Sequence, residues 1–254
     1  PEDPHIIRLK KNYTPRFVPE PRWTPAYREY VERWAQKGLE SGYLEPCNGL
    51  WASRVHLALK AGKDGRHDPD FNVRPCGDYV RVNQEIDKMA TNIPLIEDEI
   101  RKHGKARYFI KTDAFSAYTQ LCLAEESRPI LALWTPQGLL QPTRVPFGTK
   151  NAGTVLQRQT SKVAKLMENF EISAYPNGPV DIFRPGDSLS NYSDDFTGGV
   201  RNTQELLIFL DEFLRVCALL GITLKPPKTC IGYPTAEFVG YDIADGISVY
   251  PNLT

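Results

Sequence analysis

Asn191-Tyr192-Ser193-Asp194-Asp195-Phe196 places two adjacent carboxylates between aromatic side chains. A turn-rich segment at 184–188 precedes this stretch, and Thr197-Gly198-Gly199-Val200 follows it. The pattern predicts a short hairpin with both acids at or near its tip. Neighbouring carboxylates repel each other and resist burial, so a fold that holds them together usually supplies a cation. The alternative is a solvated turn, because aspartate favours turns through its own local hydrogen bonds.

The composition is that of a globular protein with no general attraction for nucleic acid. The 254 residues are 41% hydrophobic and 24% charged, enough for a core in one large or two small domains. The 31 Lys and Arg residues balance the 31 Asp and Glu residues, so nucleic-acid binding requires a local basic surface. No run of 18 apolar residues occurs, which predicts no membrane partner.

The cysteines and the chain ends lead to two expectations, one about the cellular environment and one about the parent polypeptide. The five cysteines form no C-x-x-C pair, which is typical of reduced thiols in an intracellular protein without a zinc site. The chain starts at Pro1 without a methionine or signal peptide and ends just after a strand-like segment. We therefore expect it to be a piece of a longer polypeptide.

Hydrophobic periodicity predicts a mixture of helices and antiparallel hairpins, which is the α+β class. Helices are predicted from Thr24-Pro25 to about Gly42 and over 94–103, 150–170 and 206–220. Strands are predicted over 51–60, 73–82, 108–113, 121–123, 130–134, 139–145, 222–224, 238–243 and 247–250.

A third acid supports a metal site. Asp113 ends the buried strand pattern at 108–113, about eighty residues before Asp194 and Asp195. If these strands are neighbours in one sheet, three carboxylates converge and suit two hard divalent cations that bridge to phosphates. The same acids would also suit a nuclease or a single structural calcium site, and spacing alone leaves these alternatives open.

Seven matches in chain order identify a family. They are GYLEP at 42–46 with WAS at 51–53, KDG at 63–65 with RPCGDY at 74–79, IPLI at 93–96, KTDAFSAYTQ at 111–120, VPFGTKNA at 145–152, YSDD at 192–195 and FVGY at 238–241. Together they resemble the reverse transcriptases of gypsy-type LTR retrotransposons and, more distantly, of retroviruses. One such match is weak, but seven in register favour a polymerase hairpin over a solvated turn.

The resemblance implies a right-hand polymerase fold, with fingers and palm subdomains around an antiparallel palm sheet and most of the thumb absent. The fingers would cover about residues 23–92 and 120–150, and the palm 93–119 and 151–235. Residues 1–22 would be an extended N-terminal arm, and 236–254 the primer-grip hairpin and the start of the thumb. Residues 171–190 look like an insertion relative to the family.

The implied activity is that of a reverse transcriptase, an RNA- and DNA-directed DNA polymerase that adds deoxynucleotides to a primer 3′ end. Two Mg²⁺ ions, with Mn²⁺ as a substitute, would be held by Asp113, Asp194 and Asp195. Asp113 and Asp194 are expected as the main ligands, and Asp195 as the residue that orients the site. The alternative is a decayed or co-opted reverse-transcriptase fold that only binds nucleic acid or a protein.

The resemblance also assigns the residues that would contact the substrates. Arg74 matches the arginine that contacts the incoming triphosphate, and Tyr118 matches the aromatic residue that blocks a 2′-hydroxyl. An exposed strand arginine and a core tyrosine are the structural alternatives for these two positions. The other nucleotide contacts would come from Ser116, Ala117, Phe147, Gly148 and either Lys60 or Lys63, and the primer and template contacts from Tyr192, Ser193, Val239, Gly240 and Tyr241.

The implied partners are an RNA template, a DNA primer/template duplex and deoxynucleoside triphosphates. A protease, an RNase H and an integrase would flank the chain in a parent polyprotein. The family further implies an intracellular location, in cytoplasmic virus-like particles with a nuclear phase. One departure lies at Asn151-Ala152-Gly153, where the family has Asn-Ala-Pro, so a looser helix start is expected there.

Overall fold

The chain forms helices and antiparallel strands in a computed structural model that describes residues 4–59, 73–91, 94–170, 172–173, 182–244 and 249–251. The helices are α1 (Pro25–Glu40), α2 (Val80–Glu85), α3 (Ile96–Arg101), α4 (Ala117–Gln120), α5 (Ala152–Glu168) and α6 (Thr203–Leu219). The strands are β1 (Leu44–Pro46), β2 (Val55–Leu59), β3 (Val73–Gly77), β4 (Tyr108–Asp113), β5 (Leu133–Thr135), β6 (Gly138–Pro142), β7 (Ile172–Ser173), β8 (Ile182–Phe183), β9 (Leu189–Tyr192), β10 (Asp195–Val200), β11 (Cys230–Tyr233), β12 (Thr235–Phe238), β13 (Tyr241–Ala244) and β14 (Val249–Pro251). Short 3₁₀ helices cover Glu125–Leu131, Pro185–Ser188 and Pro226–Lys228. Among the described helices, none has both the length and the apolar composition needed to cross a membrane.

The chain divides into two compact units. The carboxylate unit comprises Ala90–Ala117 and Gly153–Thr254, and the N-terminal unit comprises Glu2–Met89 and Tyr118–Ala152. The assignment of palm and fingers, with the boundaries given above, stays a prediction.

An antiparallel sheet in the order β11-β4-β10-β9 forms the centre of the carboxylate unit. Strand β10 can lie close against α6 because Gly198 has no side chain there, and the ring of Phe209 occupies that space. Helix α6 begins at an Asn202 cap, whose side chain accepts a hydrogen bond from Glu205 N at 2.9 Å. The Glu205 side chain accepts in turn from Arg201 N at 2.8 Å. Residues 201 and 202, just before α6, are therefore both hydrogen-bonded to Glu205 in its first turn.

The N-terminal unit contains the sheet β1-β6-β5 and the separate hairpin β2-β3. Its helix α1 starts as the sequence predicts, with Thr24 before Pro25 at the first helical position. Tyr79 is completely buried and donates its hydroxyl to Leu131 O at 3.1 Å. Residues 4–22 contain no helix, and single bridges at His5, Leu9 and Phe17 attach them to the unit.

The predicted hairpin with two acids at its tip is confirmed, but several strand predictions were wrong in whole or in part. Residues 121–123 and 222–224 form only isolated bridges, and a turn at Val239 and Gly240 divides the predicted strand 238–243 into β12 and β13. Residues 80–82 belong to helix α2, because the Asp78 side chain accepts from Val80 N at 3.3 Å and starts a helical turn. Residues 130–131 lie in a 3₁₀ helix, whose last turn is closed by the hydrogen bond from Ala132 N to Pro129 O at 3.3 Å. Much of the expected insertion at 171–190, and the loop with Lys60 and Lys63, lie outside the described residues.

His103 makes the stability of the carboxylate unit dependent on pH. Its ring is fully buried, and Nε2 lies 2.9 Å from Ser190 Oγ, which donates to Glu99 O. Burial, followed by the charge of Lys102, lowers the pKa of His103 from 6.5 to about 4. Because the unfolded chain takes up this proton at a higher pH than the folded chain, stability is complete above pH 6.5 and is lost as the pH falls towards 4.

As the pH falls from 6.5 to 4, we expect the free energy of unfolding to decrease by about 3 kcal/mol because of His103, since each unit of pKa difference is worth about 1.4 kcal/mol. Urea unfolding of wild type and His103→Gln at pH 7, 5.5 and 4.5 measures it. Gln retains a donor for Ser190 without titrating, so the variant should lose less stability in acid than the wild type. Equal acid losses in the two proteins would contradict the prediction.

Candidate active site

The register of two neighbouring strands brings a pair of carboxylates together. Asp195 is the first residue of β10 and lies directly opposite Asp113, the last residue of β4. Residues directly opposite in an antiparallel pair have Cβ atoms about 5 Å apart, within reach of a short side chain. The two carboxyl groups share a side-chain hydrogen bond. The sheet therefore confirms that strand 108–113 neighbours the acidic hairpin.

Asp194 lies in the two-residue turn between β9 and β10. Ser193, just before it, has a φ of +56°, and Asp194 O accepts a hydrogen bond from Ala114 N at 2.8 Å. This bond attaches the turn to the end of β4. In the described part of the chain, no three His, Cys, Asp or Glu side chains converge in a metal-binding group. The structure thus pairs Asp113 with Asp195, and the expectation that Asp113 and Asp194 are the main ligands stays a prediction.

The two paired acids differ in their electrostatics. Burial, then the hydrogen bond and negative charge of Asp113, raises the pKa of Asp195 to about 7. Burial alone would raise the pKa of Asp113, but the hydrogen bond from Asp195 and the Lys228 ammonium lower it below its ordinary value. Below about pH 7 the pair therefore holds one proton between two carboxylates, as closely spaced acids do when no metal ion neutralises them.

Lys228 is the site residue that sequence reasoning missed. Its Nζ lies 2.6 Å from Asp113 Oδ2, although the lysine side chain is 59% exposed. The segment 225–229 is fixed to β4, because Lys225 N donates to Asp113 O at 2.9 Å and Thr229 Oγ1 lies 2.7 Å from Thr112 Oγ1. The only local signal is the Lys-Pro-Pro-Lys stretch at 225–228, which predicts a turn but not its distant partner.

The donor set at this sheet edge fits a hard divalent cation. Carboxylate oxygens are the ligands that Mg²⁺ and Ca²⁺ take in proteins. The ammonium group of Lys228 already bonds Asp113, and the raised pKa of Asp195 shows that the pair disfavours two uncompensated charges, so the acids attract positive charge in the absence of metal. A divalent ion bound by these acids would favour the ionised form of both.

A second hairpin lies beside the acidic one. Strands β12 and β13 pair Phe238 with Tyr241 around Val239 and Gly240. Phe238 is fully buried in a cluster with Ile100, Ala106, Phe109, Ala236 and Ile243. Tyr192, Val239 and Tyr241 pack against this same cluster. Four of the five expected primer and template residues (Tyr192, Val239, Gly240 and Tyr241) therefore lie on or beside one apolar cluster of the carboxylate unit, and Ser193 follows Tyr192 in the acidic turn.

Val239 is strained in the tip of this hairpin. Both turn residues have positive φ, +50° for Val239 and +80° for Gly240, as a type I′ turn requires. A β-branched residue is unfavourable there, whereas Asn-Gly is the preferred pair. We expect Val239→Asn to raise the unfolding free energy by about 1 kcal/mol. Val80→Asn, at an exposed helical valine, should change stability little, and a loss of stability in Val239→Asn alone would contradict the argument.

The remaining candidates are divided between the two units. Ser116, with a φ of +46°, and the buried Ala117 follow β4 in the carboxylate unit. In the N-terminal unit, the rings of Tyr118 and Phe147 pack edge to face with centroids 4.9 Å apart. Gly148 has a φ of +84°, and its carbonyl accepts from Asn83 Nδ2 at 2.9 Å. Arg74 is exposed on β3, opposite Ala58.

Curated relatives match most of this chain at low identity. The Pol polyprotein of the transposon gypsy of Drosophila melanogaster is 27% identical over 239 residues, which cover 91% of this chain and 21% of the relative. That of the transposon opus of the same species is 28% identical over 225 residues, covering 88% and 20%. The enzymatic polyprotein of cauliflower mosaic virus (strain NY8153) is 23% identical over 225 residues, covering 89% and 30%. The chain spans less than a third of the length of these relatives.

Solved structures confirm the fold. The foamy viral protease-reverse transcriptase in complex with double-stranded DNA gives a TM-score of 0.73 at 17% identity, covering 96% of this chain and 38% of that chain. The same viral protein in complex with an RNA/DNA hybrid gives 0.72 at 16% identity, covering 95% and 29%. The predicted α+β class and right-hand polymerase fold are therefore confirmed.

One family model matches most of the chain. It describes reverse transcriptase (RNA-dependent DNA polymerase) and matches residues 67–243, which include both paired acids and Lys228. The resemblance to gypsy-type elements is confirmed by the matches to gypsy, opus and the transposon 412. The chain belongs to the reverse transcriptase family.

Proposed function

We propose that this chain catalyses RNA- and DNA-directed DNA synthesis, adding deoxynucleotides to the 3′ end of a primer. The observation that carries the proposal is the Asp113–Asp195 pair, opposite each other in β4 and β10, with Asp194 in the adjoining turn. Membership of the family supports the reaction type. The relatives solved with double-stranded DNA and with an RNA/DNA hybrid support both kinds of template as substrates.

Reverse transcriptases use divalent metal ions, and we propose two Mg²⁺ ions here, with Mn²⁺ as a substitute. Asp113, Asp194 and Asp195 would hold them. When bound, the metal would favour the ionised primer 3′-hydroxyl and stabilise charge on the phosphates of the nucleotide. The carboxylates themselves are held in place, because Asp113 ends the buried strand β4 and Asp195 begins its neighbour β10, so these residues would hold the metal at the end of the strand pair.

The N-terminal unit would contribute Arg74 and Tyr118 to nucleotide binding. A guanidinium at Arg74 suits phosphate, because it donates two parallel hydrogen bonds. Tyr118 is held by the edge-to-face contact with Phe147, which fits an aromatic wall that excludes a 2′-hydroxyl. The other proposed contacts are those expected from the resemblance: Ser116, Ala117, Gly148 and Lys60 or Lys63 for the nucleotide, and Tyr192, Ser193, Val239, Gly240 and Tyr241 for the primer and template.

Primer extension tests the proposal. Purified wild-type protein extended at its C-terminus, with Mg²⁺, should extend a DNA primer on RNA and on DNA templates with deoxynucleotides and far less with ribonucleotides. Asp194→Asn should abolish extension on both templates, whereas Asp187→Asn, at an exposed acid of the same unit, should not change it. Extension by Asp194→Asn at the wild-type rate would overturn the assignment. Duplex binding without any extension by the wild type would favour a decayed, binding-only protein.

The context of the chain is a proposal as well. The relatives are polyproteins, and the chain covers 30% or less of the first three of them. We propose that a protease, an RNase H and an integrase accompany it in one parent polypeptide. An intracellular site of action, in cytoplasmic particles with a nuclear phase, belongs to the same proposal.

A further inference from the structure

Helix α5 contacts the acidic turn through one buried amide. Gln157 is only 5% exposed, and its Oε1 accepts a hydrogen bond from Ser193 N at 2.8 Å. The Gln157 Nε2 group donates to Asn191 O at 3.4 Å and to Ser161 Oγ at 3.2 Å. One side chain therefore bonds the backbone on both sides of Tyr192, at the end of β9 and in the turn itself.

Neighbouring residues of α5 extend this contact. Asn191 Nδ2 donates to Thr160 Oγ1 at 3.0 Å, and both side chains are buried. Thr160 Oγ1 is itself held by Leu156 O at 3.1 Å. Uncharged polar groups at 157, 160 and 161 thus form one connected network between α5 and β9. Because buried polar groups are costly to leave unpaired, this network selects one position of the hairpin on the helix.

The turn needs such support because its backbone is unfavourable. Ser193 has a φ of +56°, a region that residues with a Cβ atom rarely adopt and that costs about 1–3 kcal/mol. The Ser193 N–H group lies in the turn, and the Gln157 carbonyl oxygen holds it there. Asp194 and Asp195 follow immediately, so the orientation of the Ser193 peptide sets the direction in which both carboxylate side chains project from the backbone.

The chemistry of an amide suits this place. A lysine or arginine at 157 would bring a positive charge that competes with a cation for the acids, and a glutamate would add a further negative charge beside them. A neutral amide offers one acceptor and two donors without changing the charge of the site. Catalysis by bound groups is sensitive to displacements of about 1 Å, which can cost about a hundredfold in rate.

We propose that Gln157 is a positioning residue of the polymerase reaction. Its amide holds the strained Ser193 turn so that Asp194 and Asp195 present their carboxylates to the metal ions; this inference rests on the proposed function. Its side chain bonds Ser193 N, Asn191 O and Ser161 Oγ, so Gln157 would act on the acids through the turn.

Hydrogen exchange tests the structural part without any activity. Gln157→Met keeps the length of the side chain and removes its three hydrogen bonds, so protection of the Ser193 amide should fall at least about tenfold. The matched control is Gln159→Met on the same helix, where Gln159 is 7% exposed and its Nε2 has no partner in the described structure. Ser193 protection should be unchanged in this control. Full protection in Gln157→Met would overturn the proposal whether or not the chain is a polymerase.

Primer-extension kinetics test the functional part. We expect Gln157→Met to lower kcat at least about tenfold, with KM for the deoxynucleotide within about twofold and a higher Mg²⁺ concentration for half-maximal rate. Adding Ser193→Gly should restore part of kcat, because glycine adopts a positive φ without strain. A wild-type kcat in Gln157→Met, or an equal loss in Gln159→Met, would overturn the positioning role.

A folding failure and a failure of the proposed function remain distinguishable. If Gln157→Met does not fold, Gln157→Glu retains the acceptor for Ser193 N and loses the donor to Asn191 O. Retained Ser193 protection in that variant supports the role of the acceptor, and lost protection overturns it. If the wild type itself extends no primer, the proposed function fails, while the exchange measurement still decides whether Gln157 holds the turn.

Discussion

Asp195→Asn is expected to abolish primer extension while leaving the fold at least as stable as the wild type. Asp195 lies opposite Asp113, and burial and the negative charge of that partner both disfavour its ionised form. An asparagine at this position is neutral and donates an N–H to the Asp113 carboxylate, so it replaces the shared proton. Because the pKa of Asp195 is raised to about 7, like-charge repulsion in the metal-free pair arises only as the pH rises through about 7. Stability of Asp195→Asn is therefore expected to equal that of the wild type at low pH and to exceed it above pH 7.

Activity should respond in the opposite direction. An amide cannot supply the anionic oxygen that a divalent cation needs, and metal stabilisation of a phosphoryl transition state is worth several kcal/mol. About 4 kcal/mol corresponds to about a thousandfold in rate, so a loss of this size or larger is expected. Thermal unfolding without metal and single-turnover extension with Mg²⁺ measure the two effects on one preparation.

Asp113→Asn provides the comparison. It removes the same number of carboxylates but also the anionic partner of Lys228, whose Nζ lies 2.6 Å from Asp113 Oδ2. It should therefore lose extension without the gain in stability expected of Asp195→Asn. If Asp195→Asn unfolds below the wild-type temperature, or if it extends primers within tenfold of the wild type, the description of the acid pair is wrong.

The sequence predicted the acidic hairpin because its signals are local. Aromatic and β-branched residues flank a turn, and an acid ends the strand pattern at 108–113. What the sequence does not show is which acid faces Asp113. The two-residue turn pairs Asp195 with Tyr192, and only the register of β10 on β4 then sets Asp195 rather than Asp194 opposite Asp113.

The residues that support the site were missed because their partners are distant in sequence. Lys228 reaches Asp113 from a short 3₁₀ helix, and the Lys-Pro-Pro-Lys pattern by itself does not indicate which distant residue the lysine contacts. Gln157 lies within the best amphipathic helix of the chain, where the apolar stripe dominates the pattern. A buried polar residue in such a helix is recognised only when the strand that satisfies it is in place.

Gly198→Ala is expected to destabilise the carboxylate unit by about 3 kcal/mol, the cost typical of an overpacked core. A Cβ atom at Gly198 would lie 2.3 Å from Phe209 Cζ and 2.6 Å from Cε1, far inside contact distance. The Phe209 ring cannot move away easily, because it is 1% exposed and stacks on Phe213 with centroids 5.9 Å apart. Phe213 in turn packs edge to face on Phe196, with centroids 5.4 Å apart.

Urea unfolding of Gly198→Ala and of the matched variant Gly104→Ala measures this effect. Gly104 is exposed, its φ is not positive, and the nearest atom to an added Cβ is Arg101 O at 3.5 Å. Gly104→Ala should therefore be neutral or slightly stabilising, because alanine restricts the unfolded chain more than glycine does. A similar loss in both variants would show that the ring contact is not the cause.

A double-mutant cycle identifies the ring that clashes. Phe209→Leu removes the atoms nearest to the added methyl group, so Gly198→Ala should cost clearly less in that background than in the wild type. Direct contacts of this kind give coupling energies of about 0.5–3 kcal/mol. Because Phe196 and Gly198 belong to the strand that begins with Asp195, the same overpacking should displace the acid and lower primer extension by more than the unfolded fraction accounts for. Additive costs in the cycle would show that the Phe209 ring is not the source of the clash. Primer extension that falls only in proportion to the unfolded fraction would show that overpacking at Gly198 does not displace Asp195.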